Sequence, residues 1–109
     1  MRNRVILESP YAGNVELHLA YLKLCIRDSI LHYNEAPIAS HALYIGALND
    51  DNPEERKIGI ERFWLWHDVA DAMVVYQDFG ISKGMNYSIA HAREIGLRIH
   101  YRNIGTRIK

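Results

Sequence analysis

Two strand-turn-helix junctions constrain the fold of this chain more than any other feature. The apolar run 72–76 leads through Gly80 and Gly84 into a segment with helical spacing. The apolar residues 5–7 lead in the same way through a loop with Gly13 into a second such segment. Strands that pass through glycine turns into helices are how α/β proteins build anion and nucleotide sites. The sequence therefore predicts an α/β fold with a small-ligand pocket.

The rest of the chain continues this alternation. The predicted strands span residues 4–7, 37–40, 71–76 and 97–101, and the predicted helices span residues 14–32, 53–67 and 82–96. Asn14 and Ser82 are good N-caps, and Pro53 suits the first turn of a helix. Alternating strands and helices indicate a parallel sheet. We therefore expect one small flavodoxin-like or Rossmann-like domain over residues 1–109, with about four parallel strands, the first of them central, and helices on both faces.

Composition excludes several classes of protein. Thirteen Lys plus Arg residues balance thirteen Asp plus Glu residues, so the chain lacks the basic character of nucleic-acid-binding proteins. It has no apolar run of about 18 residues and no signal-peptide pattern, so we expect a cytoplasmic protein that does not bind membranes. Cys25 stands alone, which rules out an internal disulfide and favours a small buried hydrophobe. The six histidines lack metal-ligand spacing, and we expect neither a metal nor a cofactor.

The predicted ligand site lies beyond the carboxyl ends of the strands. Parallel sheets bind ligands there, at the point where the strand order switches. Three loops should meet around one crevice, at residues 8–13, 40–44 and 78–85. The candidate binding residues in them are Glu8, Ser9, Pro10, Tyr11, Gly13, Ser40, His41, Asp78, Gly80, Ile81, Ser82, Gly84 and Met85.

Four of these side chains carry distinct chemistry, each with a structural alternative. Glu8 could bind a ribose hydroxyl or act as a base, or it could cap a neighbouring amide. Tyr11 could stack on a base or sugar, or be a surface aromatic. His41 could donate to a ligand or serve as a general acid, or be structural. Asp78 follows the third strand and suits a polar ligand contact, or a turn carboxylate.

The glycine-bounded turn before the last helix has two interpretations. Gly80, Ser82 and Gly84 match the Gly-x-Ser-x-Gly pattern of hydrolases. Such enzymes are normally far longer, and of the histidines that follow, His91 lies on the predicted helix and His100 in the last predicted strand. We therefore favour a cradle of backbone amides that holds a phosphate or carboxylate.

The aromatic residues at 63–66 predict self-association. Phe63, Trp64 and Trp66 are too close in sequence for all of them to face one core. Exposed tryptophan favours association, and a chain this short gains burial by pairing. We therefore expect a homo-oligomer, most simply a dimer, with this helix in the interface.

The chain resembles a family of small phage and prophage proteins of uncharacterised function. The resemblance covers nearly the whole chain but implies no activity, because that family has no established one. The matching stretches are residues 5–13, residues 35–41, residues 53–56 with Gly59 and Ile60, and residues 71–85.

More distantly, the layout is similar to nucleoside 2-deoxyribosyltransferases. Those enzymes have a flavodoxin-like fold and exchange or hydrolyse the bond between a base and deoxyribose. Their last strand-helix junction is approximately Asp-x-Gly-x-x-x-Glu, and the Glu is the nucleophile. In this chain Ser82 stands at the Asp and Ser88 at the Glu, with Gly84 matching the Gly. The resemblance therefore implies the fold and the crevice without the double-displacement chemistry.

Together these observations predict non-catalytic binding of a nucleotide- or ribose-containing small molecule. A phage protein of this kind could sequester a host immune signal, such as an ADP-ribose-derived or cyclic nucleotide, in the host cytoplasm. One alternative is a deoxyribosyltransferase-like enzyme or N-glycosidase that uses Glu8 or Asp78. Another is a protein-binding inhibitor that acts through the surface around Trp64 and Trp66.

Overall fold

The computed structural model describes residues 3–11, 13–39, 47–49 and 51–105. Within these ranges the chain alternates strands with helices. The elements are β1 (Arg4–Glu8), α1 (Val15–Tyr33), β2 (Ala36–Ile38), α2 (Pro53–Phe63), a 3₁₀ helix (Trp64–Val69), β3 (Ala72–Tyr76), α3 (Lys83–Glu94) and β4 (Ile99–Arg102).

The four strands form one parallel sheet in the order β2-β1-β3-β4. This confirms the predicted small α/β fold and the inner position of β1. From β1 the chain moves outward to β2 and then returns to add β3 on the other side of β1. The strand order therefore reverses between the carboxyl ends of β1 and β3, which is where open α/β sheets form their ligand crevice.

Alternating side chains give the sheet an apolar layer on each face. On one face, α1 packs against Val5, Leu7 and Val74. On the other face, α3 and the end of α2 pack against Ile6 and Met73. Helices therefore cover both faces of the sheet, as the alternation of elements predicted.

The predicted helix starts are confirmed. The side-chain oxygen of Asn14 accepts a hydrogen bond from the amide of Leu17 at 3.1 Å. Ser82 Oγ accepts one from the amide of Met85 at 3.2 Å, and Pro53 opens α2. The carboxyl ends of the parallel strands lie together, and we call this end of the sheet its carboxyl edge. Polar caps thus determine where α1 and α3 begin beyond the carboxyl edge.

Several predicted boundaries are wrong. The second strand spans Ala36–Ile38, so Ala39 is not part of it. The helix expected over residues 53–67 ends at Phe63 and tightens into the 3₁₀ helix, a common ending for an α-helix. β4 begins at Ile99 rather than at residue 97. In the described part of the chain, no helix has the length and apolar character needed to cross a membrane.

Candidate functional site

Glu8 is the last residue of β1 and lies beside the point where the strand order reverses. Because side chains alternate along a strand, Glu8 shares with Ile6 the face that α3 covers. Only 4% of Glu8 is exposed. An acidic group at a core position costs free energy relative to an apolar one. Its presence here therefore calls for an explanation other than packing.

The buried carboxyl of Glu8 is only partly satisfied. The Ser88 hydroxyl of α3 hydrogen-bonds to it, whereas its Oε2 has no hydrogen-bond partner among the described residues. Desolvation raises the pKa of Glu8 to about 8, and the Ser88 hydrogen bond offsets only part of that rise. At neutral pH the carboxyl is therefore mostly protonated, and it can both donate and accept a hydrogen bond.

The N-terminus of α3 is open at Gly84. A Cβ built on Gly84 would meet no described heavy atom within 4 Å, and its φ is not positive, unlike that of Gly80 at +83°. Neither packing nor backbone conformation therefore requires glycine here, although glycine weakens a helix by roughly 0.5–1 kcal/mol relative to alanine. Helix N-termini attract anions through their free amides. A bare glycine at this position leaves room for a ligand to approach them.

Asp78 has a structural role at the same edge of the sheet. Its Oδ1 accepts hydrogen bonds from the Tyr21 hydroxyl at 2.5 Å and from the amide of Ile104 at 2.9 Å. Its Oδ2 accepts one from the amide of Gly105 at 3.0 Å. Desolvation raises the pKa of Asp78, but these hydrogen bonds outweigh it and hold the pKa below the usual value. Asp78 thus ties the turn after β3 to α1 and to the chain after β4, and its contact with a ligand stays a prediction.

An aromatic group lies next to Asp78 on the α1 side. Phe79 is half exposed, and its ring centroid lies 4.6 Å from that of Tyr21 and 6.1 Å from that of His18. His18 Nδ1 lies 3.0 Å from the carbonyl oxygen of Tyr11 and donates to it. Sequence reasoning missed Phe79, although an aromatic residue between Asp78 and a turn glycine was a usable signal.

The other predicted site residues occupy varied positions. Ser9 and Pro10 are buried, Gly13 has a φ of +92°, Ile81 is partly exposed, and the Met85 side chain lies in the core beneath α3. Ser40 and His41 lie outside the described residues.

The structure therefore divides the predicted site into two groups at one edge of the sheet. Glu8 contacts Ser88 of α3, whereas Tyr11, Asp78 and Phe79 lie on the α1 side. In the resemblance to the transferases, Ser88 stands only at the position of their nucleophilic Glu. The structure adds that the carboxyl of Glu8 is hydrogen-bonded to that same serine.

A second polar cluster joins the 3₁₀ helix to α3. Nδ1 of His67 lies 2.9 Å from Nδ1 of His91, whose ring stacks on Trp64 at 4.3 Å between centroids. Desolvation, with a smaller contribution from His91, lowers the pKa of the buried His67 to about 4. Among the residues described, no group of three His, Cys, Asp or Glu side chains is arranged to hold a metal ion.

An open, largely polar depression of about 490 Å³ lies at the opposite edge of the sheet. His67, Asp71 and Arg98 are among its lining residues, near the amino ends of β3 and β4. The amide of Arg4 donates to Asp71 at 2.8 Å, so this acid already has a partner in the fold. Oε2 of Glu8 at the carboxyl edge and Nε2 of His67 in the depression both lack a hydrogen-bond partner among the described residues. We place the candidate site at the carboxyl edge because the strand order reverses there.

Comparison with known proteins gives a family without an assigned activity. No curated protein matches the chain. The model of a domain of unknown function, DUF7768, matches residues 3–102, which include all the strands and helices described above. The chain therefore belongs to the DUF7768 family.

Proposed function

We propose that this domain binds a nucleotide- or ribose-containing small molecule at the carboxyl edge of the sheet, between β1 and β3, without converting it. The observation that carries this proposal is Glu8, a buried carboxyl beside the point where the strand order reverses, one oxygen of which has no hydrogen-bond partner among the described residues. Buried polar groups in folded proteins are almost always hydrogen-bonded. A ligand group bound at this edge would supply the hydrogen bond that Oε2 does not form with any described residue.

The N-terminus of α3 supports an anionic part of the same ligand. Ser82 caps this helix, and the open space at Gly84 exposes the backbone of its first turn. Amides in this position bind phosphates and carboxylates without a charged side chain. A neutral Glu8 nearby would not repel such an anion, because its pKa is raised to about 8.

The chemistry of the site favours binding over conversion. By the distant resemblance to the transferases, Ser82 and Ser88 stand where those enzymes carry carboxylates. Glu8 is mostly protonated at neutral pH, and a protonated carboxyl is a poor nucleophile. A double displacement through a covalent sugar intermediate therefore has no suitable nucleophile among these three residues.

The resemblance to small phage and prophage proteins suggests a biological setting for this binding. A domain that holds a nucleotide-like molecule intact could sequester a host immune signal, such as an ADP-ribose-derived or cyclic nucleotide. Such a signal would be met in the host cytoplasm. Sequestration requires a stoichiometric complex rather than turnover.

A second candidate is an N-glycosidase in which Glu8 acts as a general acid. Two features favour it: the hydrogen bond between Glu8 and Ser88, and a pKa near 8 that suits proton donation at neutral pH. In that case a free base would appear in solution. The two candidates therefore differ in whether the ligand is recovered intact.

The variant Gly84→Ala tests the proposed site. The added methyl group enters open space, so the free protein should fold and gain stability, because alanine favours a helix over glycine. The same methyl group should hinder approach to the amides and weaken binding of ADP-ribose, AMP or ribose 5-phosphate at least tenfold in calorimetry. Gly84→Val should weaken it further.

The matched control is Asn86→Ala, an exposed position on the same helix. It should leave affinity unchanged while making a comparable change to helix propensity. If Gly84→Ala and Gly84→Val both bind these compounds as the native protein does, the ligand lies elsewhere. If the native protein binds none of them, this assignment of ligand class is wrong.

A further inference from the structure

We propose that Glu8, supported by Ser88, binds a sugar hydroxyl of the ligand, and that the site therefore distinguishes ribosyl compounds from their deoxy analogues. This inference rests on the proposed function and narrows its ligand class. It assigns Glu8 a role in specificity, for which its position in the core offers no structural reason.

The first step is the hydrogen-bonding capacity of the carboxyl. Ser88 occupies part of it, which leaves Oε2 as the atom without a described partner. A protonated Oε2 needs an acceptor, and an ionised Oε2 needs a donor. A hydroxyl group can be either, whereas a phosphate oxygen only accepts and an ammonium group only donates. An alcohol is therefore the ligand group that suits Glu8 in both protonation states.

The second step is the distance between the Glu8 carboxyl and the N-terminus of α3, where we propose that the anionic part of the ligand binds. Ser82 caps α3, and Ser88 lies six positions further along the chain. At 1.5 Å of rise per residue, the two serines are about 9 Å apart along the helix axis. That separation is on the scale of a sugar phosphate rather than of a single inorganic ion. A ligand that contacts both the N-terminus of α3 and the carboxyl beside Ser88 therefore has to span about this distance.

The third step is the burial of the pair. Glu8 is 4% exposed and Ser88 is 8% exposed, so water competes weakly for either group. A buried polar group that is paired by one substrate and left unpaired by its analogue is how binding sites reject a molecule that lacks a hydroxyl. Discrimination should therefore be strong even though a single hydrogen bond is involved.

The experiment compares AMP with 2′-deoxy-AMP and 3′-deoxy-AMP by calorimetry. The native protein should bind one of the two deoxy analogues about 10- to 100-fold more weakly than AMP. Glu8→Leu removes both hydrogen-bonding oxygens and should abolish this preference. Glu8→Gln keeps a donor and an acceptor and should retain most of it. Ser88→Ala should reduce the preference without abolishing it.

Each outcome has a distinct meaning. Equal affinity of the native protein for AMP and both deoxy analogues would overturn the hydroxyl assignment and leave the proposed binding function standing. A preference that persists in Glu8→Leu would do the same. If the native protein binds none of the three compounds while ADP-ribose or ribose 5-phosphate still binds, the hydroxyl inference fails in this form. If it binds none of the five, the proposed function fails as well.

A second measurement does not depend on the folding of a variant. The ¹³C resonance of the Glu8 carboxyl in the native protein should shift on addition of AMP. The matching deoxy analogue, at equal occupancy, should shift it much less. An unchanged resonance at saturating AMP would overturn the assignment of Glu8.

Discussion

The Tyr21 hydroxyl donates to Oδ1 of Asp78 at 2.5 Å and accepts from the backbone amide of the same residue at 3.0 Å. This reciprocal pair joins α1 to the turn that follows β3. Desolvation and the neighbouring Asp78 both raise the pKa of Tyr21, so its hydroxyl stays protonated. The carboxyl edge of the sheet is therefore held on the α1 side by a fixed polar contact, whereas Glu8 on the α3 side has an oxygen without a described partner.

The first prediction concerns this contact. Tyr21→Phe should lower the free energy of unfolding by about 1 kcal/mol, and Asp78→Ala by about 1–3 kcal/mol, because Asp78 also accepts from two amides after β4. The two changes share one hydrogen bond, so their effects should not add. Urea denaturation of both single variants and the double variant measures this. A coupling energy near zero would contradict a direct contact in solution.

The second prediction concerns how the free energy of unfolding changes between pH 4.5 and pH 8 because of Glu8. The pKa of Glu8 is about 8 in the folded protein and 4.5 as an ordinary carboxyl, so the folded state binds the extra proton between these values. Its contribution to stability is fully present below pH 4.5 and is lost as pH rises through about 8, at up to about 1.4 kcal/mol per pH unit.

The variant Glu8→Gln isolates this effect because glutamine has similar volume and no titrating group. Denaturation of the two proteins at several pH values should show native stability falling between pH 5 and pH 8 relative to the variant. A constant difference across this range would mean that Glu8 titrates normally in the folded protein.

The third prediction concerns how the free energy of unfolding changes between pH 6.5 and pH 4 because of His67. The pKa of His67 falls from 6.5 to about 4 on folding, so the unfolded chain binds more protons between these values. The contribution of His67 to stability is therefore present above pH 6.5 and is lost as pH falls through about 4. Relative to His67→Gln, the native protein should become less stable from pH 6.5 to pH 4. Parallel curves for the two proteins would contradict the lowered pKa.

Much of the fold could be predicted because local signals and periodicity agree. Asn14, Pro53 and Ser82 each carry a capping or first-turn preference that the tertiary structure keeps. The end of α2 could not be predicted. The aromatic run after Phe63 continues a helical pattern, whereas in the structure the chain tightens there into the 3₁₀ helix, whose His67 contacts His91 of α3.

The candidate site was less predictable than the fold. Position alone marked Glu8, since a carboxylate after a buried strand is unusual. Its burial and its contact with Ser88, 80 positions away in the chain, depend on how α3 packs on the sheet. Asp78 was also marked by position, but its partners Tyr21 and Ile104 come from other elements. Local sequence cannot show that such a carboxylate is already engaged.

The fourth prediction concerns self-association. Phe63 is buried and Trp64 stacks on His91, whereas Leu65 is 63% exposed, Trp66 44% and Val69 52%. We propose that this exposed part of the 3₁₀ helix forms the interface of a dimer. Light scattering should give twice the chain mass at micromolar concentration, and Trp66→Glu should give the monomer.

The control for this prediction is Leu31→Glu, an exposed apolar residue on α1. It should leave the dimer intact. A native protein that is monomeric at micromolar concentration would contradict the prediction, and co-purification of a different protein with that monomer would favour the inhibitor alternative.

The most direct test of the account is a mass balance on the ligand. The native protein is incubated at high concentration with AMP, 2′-deoxy-AMP, ADP-ribose and NAD, heat-denatured, and the released compounds are quantified by mass spectrometry. We expect a bound ribosyl compound to be recovered intact, at up to one molecule per chain, with no free base. Release of free base beyond one turnover per chain, lost in Glu8→Gln, would contradict non-catalytic binding and establish the glycosidase alternative.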